Sequence, residues 1–446
     1  MSPWTLSAAA EAMQEGKLTA RALVEDCLER IDSRPELAAF VTVTAETARR
    51  AADMADSASA RGPLHGLPLG LKDIIETEGV RTAGGSRLFL DRVPALSAAL
   101  WDRLEAAGAI LLGKTTTWEF AIGGTRQDLP FPPALNPWDV TRETGGSSSG
   151  SAAAVAAGMV PGAIGTDTAG SIRVPAAWCG CAGLKPTQGL VSRAGIYPLS
   201  HTLDHAGPIA WTVRDCALLM SALAGPDPRD PSTRNAPALD WLGRLDGGVS
   251  GLRIGIAEGL LDDIDAEMAD GIAAAGRALV HAGAELVPVT LPPLRDFDAA
   301  CNIITRSETF SYYRDALATR PEAFGEETRA RMMAGGLVAA AEYIDALRIR
   351  TELIEAMERL FTGVDLLLAP LAGSTAPEAG SATSYARLAT RPFSVTGSPA
   401  LSVCSGWGSD GLPLSAQIVG PAYGDPIVLA AGAVIEQALG ERDRRV

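Results

Sequence analysis

Three observations predict an α/β fold for this chain. Helical and extended hydrophobic patterns alternate along its length. Short apolar runs bounded by turn signals, such as 67–72 (LPLGLK) and 365–370 (DLLLAP), read as buried strands. Between 151 and 158 the segment SAAAVAAG favours a helix whose small side chains let it pack very closely against a sheet.

Taken in order, residues 5–31 place apolar residues at helical spacing and predict one amphipathic helix, and 40–60 predict another. The turn signal Arg61-Gly62-Pro63 precedes the strand at 67–72. A helix over 97–107 ends at Gly108, and 109–112 predicts the next strand. Residues 225–250, with GPDPRDPSTRNAP and DGGVSG, read as a long surface connection. Beyond it, 252–257 predicts a strand, a helical pattern runs to about 282, AELVPVTL is extended, and 326–361 is rich in helix formers. Large α/β enzymes keep one continuous core at this length. The expected partition is therefore a single domain over 1–446 with a peripheral helical portion around 260–362.

The balance of 38 Lys+Arg against 53 Asp+Glu, a net charge of −15, opposes direct binding to nucleic acid or to an anionic membrane. The chain has no apolar stretch of about 20 residues that would span a membrane. Its N-terminal segment mixes acids and bases instead of forming a signal peptide, so cytoplasmic residence is expected. Six scattered cysteines do not make a disulfide framework. Cys179-Gly-Cys181 has no two further Cys or His ligands nearby to complete a zinc site, so no metal is expected there.

The most informative stretch is 145–173, GGSSSGSAAAVAAGMVPGAIGTDTAGSIR, where glycines surround Ser147 and Ser171. Glycine lets backbone approach a ligand closely, and a serine beside free N–H groups is both nucleophile and neighbour of an oxyanion pocket. Acyl transfer is the leading reaction class. With only four histidines and no GxSxG elbow around Ser171, the pattern disfavours a Ser-His-Asp arrangement.

These residues carry a resemblance. PLHGLPLGLKDII around Lys72, GKTTTWEFAIGG from 113, LNPWD from 135, the block 145–173, CGCAGLKPT from 179, and RPFSVTGSPALSV followed by GLPLSAQIVGP together resemble the amidase signature hydrolases over nearly the whole chain. The resemblance implies a mixed central β-sheet flanked by helices on both faces. It also implies a Ser–Ser–Lys triad with Ser171 as nucleophile, Ser147 as a bridging serine held by a cis peptide, and Lys72 as base. Backbone N–H groups of Thr168, Ala169, Gly170 and Ser171 would hold the oxyanion. The substrate would be a small-molecule amide, neither metal nor organic cofactor would be required, and a homodimer is compatible with the family. Lysine acts as a base only when neutral, and apolar Leu67, Leu69, Leu71 and Ile74 suit the burial that would neutralise Lys72.

Some positions depart from the family pattern. Ala169 and Ser149 stand where glycine is common, and added bulk at 169 would matter if that residue needs positive φ. Trp118 stands where the A subunit of tRNA-dependent amidotransferases typically has an acidic residue, which weighs against that glutaminase role. A catalytically silent binding relative is the other alternative, against which all three triad side chains are retained. Asp167 and Arg173 are expected to form a structural ion pair, and His205 to line the site. Residues 125–135 (TRQDLPFPPAL) are candidates to shape the entrance, and Arg306, Arg348, Arg350 and Arg391 to bind a substrate carboxylate.

Overall fold

In the computed structural model, which describes residues 3–124, 128–262, 264–381 and 389–439, the short apolar runs become strands of one sheet of 11 strands. These are β1 (Phe40–Val43), β2 (Pro68–Lys72), β3 (Ile110–Thr115), β4 (Gly162–Asp167), β5 (Ala182–Lys185), β6 (His205–Ala210), β7 (Arg253–Ala257), β8 (Glu285–Val289), β9 (Leu366–Pro370), β10 (Ala400–Trp407) and β11 (Pro413–Val419). Their order is β1-β3-β2-β4-β6-β5-β10-β11-β9-β7-β8. β2 runs parallel to β3 and β4, and β7 parallel to β8 and β9, while the other pairs are antiparallel, so the sheet is mixed.

Helices cover the sheet: α1 (Leu6–Gln14), α2 (Ala20–Ser33), α3 (Ala45–Ser57), α4 (Ala99–Ala106), α5 (Ser149–Ala156), α6 (Arg173–Trp178), α7 (Val213–Leu223), α8 (Ala266–His281), α9 (Leu294–Thr319), α10 (Glu326–Ala334), α11 (Ala340–Phe361), α12 (Arg391–Val395) and α13 (Asp425–Leu439). Because β2, β3, β4 and β9 are buried at every residue, their sequences are not alternating. All of α5 is buried as well. A Cβ at Gly150 would stand 2.3 Å from Thr116 N and 2.4 Å from Ala39 O, so only glycine lets this helix settle so close to its neighbours.

Four sequence expectations need correction. The single helix expected over 5–31 is two, because Gly16 turns left-handed at φ +69° and Thr19 then caps α2 by accepting from Ala22 N. The helix expected over 40–60 begins as strand β1, whose FVTV run suits a pleated strand better than a helix, and only then becomes α3. The connection at 225–250 is not simply superficial. Asp227 and Asp230 are buried, accepting from Ser192 Oγ at 2.6 Å and Arg193 N at 2.9 Å, and Trp241, Leu245 and Val249 join the core. The portion at 260–362, expected to be peripheral, contributes β8 to the sheet and sends α9 and α10 into the wall of the cavity that Ser171 lines.

Candidate active site

Lys72 ends β2, between β3 and β4, and is fully buried. Its Nζ donates to Ser147 Oγ at 2.7 Å and to Thr166 Oγ1 at 2.7 Å. Ser147 lies in the turn before α5 and follows a cis peptide from Gly146. Trp118 covers that turn so closely that a Cβ on Gly146 would lie 2.2 Å from its ring. Thr166 comes from β4, the strand paired with β2. Leu67, Leu69, Leu71 and Ile74, the apolar neighbours of Lys72 in the sequence, are all buried. Burial lowers its pKa to about 7, against the opposing pull of the Asp167 and Asp204 carboxylates. A sizeable neutral fraction therefore exists near neutral pH.

The Ser171 loop runs from the end of β4 to the start of α6. Asp167 organises it, accepting from Gly170 N at 2.7 Å, Ile172 N at 3.2 Å and Arg173 Nε at 2.9 Å. Arg173 also donates to Gln417 Oε1 and Ser394 Oγ, both at 2.7 Å. Both charges are completely buried, and the pair has the expected structural role. Burial would raise the Asp167 carboxyl, but Arg173 overrides it and holds it well below the usual carboxylate range. Removing either partner would strand a buried charge, a loss of about 3–5 kcal/mol.

Two features of this loop refine the sequence reading. The left-handed residue is Gly170, at φ +128°, and Ala169 is not among the positive-φ residues. The methyl group at 169 is therefore accommodated without backbone strain. The Gly170 N–H is already committed to Asp167, whereas those of Ala169 and Ser171 have no partner among the described residues. Ser171 lines a cavity of about 260 Å³ together with Trp118, Gly146, Thr168, Ala169 and Gly170. Ser148 N donates to Ser171 O at 3.2 Å and ties this loop to the Ser147 turn. No hydrogen bond of Ser171 Oγ is formed among the described residues.

His205 does not line the Ser171 cavity. It faces Asp167 across the β4–β6 ladder, and its Nδ1 donates to Leu203 O at 2.7 Å, which leaves Nε2 only as an acceptor. Burial, reinforced by Lys185, holds its imidazole well below the usual pKa. His205 lines a second cavity of about 260 Å³ with Thr166 and Thr168. Of the four candidate arginines, only Arg391 lines the Ser171 cavity. Arg350 is bound to Val395 O and Gln188 Oε1, Arg348 pairs with Asp345 at the surface, and Arg306 is exposed elsewhere. Residues 125–127 of the proposed entrance lie outside the described residues, and 128–135 do not line this cavity. The sequence reading missed Thr166, Asp298, Thr305 and Arg331, of which the last three also line it.

Thr166 supplies one of the two acceptors for the Lys72 ammonium, and losing an acceptor favours the neutral amine. Thr166→Val is expected to move the midpoint of the pH–activity profile to lower pH and to reduce kcat by about tenfold. Thr166→Ser should restore both. An unmoved midpoint in Thr166→Val would remove Thr166 from the positioning of the base.

A family model described as Amidase matches residues 22–429. The A subunit of the Chloroflexus aggregans glutamyl-tRNA(Gln) amidotransferase is 39% identical, covering 99% of this chain and 97% of its own. Its counterpart in Synechococcus sp. strain CC9311 is 38% identical over 98% of this chain and 97% of its own. Among solved structures, one from a vestigial protein complex bearing on the evolutionary origins of an s-triazine catabolic enzyme superimposes with a TM-score of 0.92 at 35% identity, covering 97% of this chain and 98% of its own. The A subunit of the Thermotoga maritima glutamyl-tRNA(Gln) amidotransferase superimposes with a TM-score of 0.84 at 33% identity, over 98% and 95% of the two chains.

Proposed function

The chain belongs to the amidase family and is an amide-cleaving enzyme, and we propose that it hydrolyses the C–N bond of a small carboxamide through an acyl-serine intermediate on Ser171. The observation that carries this reading is the fully buried Lys72 hydrogen-bonded to Ser147 at 2.7 Å, beside a loop that presents Ser171 to a cavity.

Neutral Lys72 takes the proton of Ser147 as Ser147 takes that of Ser171, whose Oγ attacks the amide carbonyl. Substrate binding brings Ser171 within reach of Ser147, since catalytic hydrogen bonds commonly tighten only in the substrate complex. The Ala169 and Ser171 N–H groups receive the developing oxyanion. Collapse breaks the C–N bond, and the Lys72 ammonium returns its proton through Ser147 to the leaving nitrogen. Water then attacks the ester. Its proton passes by the same route to Lys72 and back to Ser171 Oγ as the acid departs.

The test is a screen of small amides for released ammonia or amine, combined with fluorophosphonate labelling mapped by mass to Ser171. Hydrolysis confined to esters, or labelling elsewhere, would overturn the reading. A second reading draws on the relatives named as amidotransferase A subunits: a glutaminase that passes ammonia to a partner. Ammonia release from glutamine only when a partner protein is added selects it. Retention of the Lys72–Ser147 bond weighs against a catalytically silent binder.

A further inference from the structure

We propose that Asp204 is a positioning residue of the acyl-transfer reaction, which holds the oxyanion loop in place by its first residue, Thr168. This rests on the acyl-serine reading and adds to it a group outside the triad.

The loop is pinned at three successive residues. Thr168 Oγ1 donates to Asp204 Oδ1 at 2.6 Å, Ala169 O accepts from Thr390 Oγ1 at 2.5 Å, and Gly170 N donates to Asp167 Oδ1 at 2.7 Å. The peptide between Ala169 and Gly170 is thus gripped from both sides. The Thr168 tie fixes the residue whose carbonyl shares a peptide plane with the Ala169 N–H, one of the two loop N–H groups that have no partner among the described residues. An oxyanion donor works only when it is aimed at the place where charge develops, so a loop that turns about Thr168 loses it.

Asp204 is itself held. Its Oδ2 accepts from Leu199 N and Ser200 N, each at 2.9 Å. The segment that supplies these donors is tied to α9: Thr309 Oγ1 donates to Leu199 O at 2.7 Å, Tyr313 OH to Pro198 O at 3.0 Å, and Ser200 Oγ and Thr202 N to Glu308 Oε2. A carboxylate that accepts three hydrogen bonds has a fixed place, and this one stands half-buried in the wall of the second cavity with Thr166 and Thr168.

Its charge also reaches the base. The carboxylates that pull Lys72 toward its ammonium form, against burial, are Asp167 and Asp204. Asp167 is matched by Arg173 in a buried ion pair, whereas Asp204 has no cationic hydrogen-bond partner among the described residues. Burial pushes the Asp204 carboxyl up, while its hydrogen bonds and the charge of Arg193 pull it down. The hydroxyls of Tyr312 and Tyr313 on α9 are pushed up by burial and then by Asp204, and His205 beside it is kept neutral by burial.

The rate of fluorophosphonate labelling at Ser171, followed across pH, tests this because it draws on the same groups. The Oγ–P bond forms as P–F breaks, the phosphoryl oxygen takes the oxyanion position, and the Ser171 proton passes to Lys72. Thr168→Val is expected to lower the plateau rate about tenfold, and Thr168→Ser, which keeps the hydroxyl, to restore it. Asp204→Asn still meets Thr168 by donating its amide to the hydroxyl. It should keep the plateau within about threefold while the midpoint moves about half a pH unit or more below that of the wild type. Asp204→Ala should show both that shift and the loss of about tenfold. A Thr168→Val plateau equal to wild type overturns the proposal, as does a Thr168→Ser plateau as low as that of Thr168→Val. A midpoint that stays in place in both Asp204 variants leaves only a structural role and overturns it too. The Thr168 pair decides the matter even where an Asp204 variant does not fold. A wild-type chain that takes no label at Ser171 fails the acyl-serine reading itself. A chain labelled there at a rate indifferent to Thr168 fails this inference alone.

Discussion

Ser171→Ala is expected to abolish fluorophosphonate labelling and to lower kcat/KM for amide substrates by on the order of 10⁴-fold or more, the size of loss seen when an acyl-enzyme nucleophile is removed. The fold should be spared. Ser171 Oγ makes no hydrogen bond among the described residues, and the loop is held by Asp167 through backbone and Arg173 contacts that alanine leaves intact. Unfolding free energy should therefore stay within about 0.5 kcal/mol of wild type. An alanine variant that still turns over an amide would place the nucleophile elsewhere.

The second large effect lies in the pH dependence. Lys72 works as a base in its neutral form, and burial sets its pKa at about 7. Activity should therefore rise from the acid side, reach half its maximum near pH 7 and level off above, provided chemistry limits the rate. Lys72→Ala should lose about 10²–10⁴-fold in kcat/KM together with that rising limb. A wild-type midpoint near that of free lysine, or a variant that keeps the limb, would assign the proton to another group.

How much of this could be read from the sequence differs by element. β2, β3 and β9 were legible because strands buried on both faces are written as short apolar runs. Helix α9 was not, because its 26 residues mix polar and apolar side chains and bury only part of their surface. The helix break at Gly16 was hidden by apolar spacing that continues on both sides of it. In the site, Lys72 and Ser147 were marked by their surrounding motifs. Thr166 was in plain view beside Asp167, but its bond to Lys72 follows from the pairing of β4 with β2, which no local pattern announces. Asp298, Thr305 and Arg331 reach the cavity from helices more than 120 residues beyond Ser171, a placement that only tertiary packing makes.

The buried Lys72 also acts on the stability of the whole fold. Folding lowers its pKa from 10.5 to about 7, so between those values the unfolded chain binds the proton and the folded chain does not. Below pH 7 the native state bears the full cost of a desolvated ammonium, on the order of 5 kcal/mol at about 1.36 kcal/mol per pH unit. That cost recedes as the pH climbs and is gone above the unfolded pKa. Lys114 and Lys185, lowered to about 8 and about 7, act in the same direction. Lys72→Met should flatten the rise of the denaturation midpoint between pH 7 and 10, and an unflattened rise would trace it to the other lysines. The proton whose loss arms the base is also the one whose loss relieves the fold, so the contributions of Lys72 to catalytic competence and to resistance to unfolding grow together with pH.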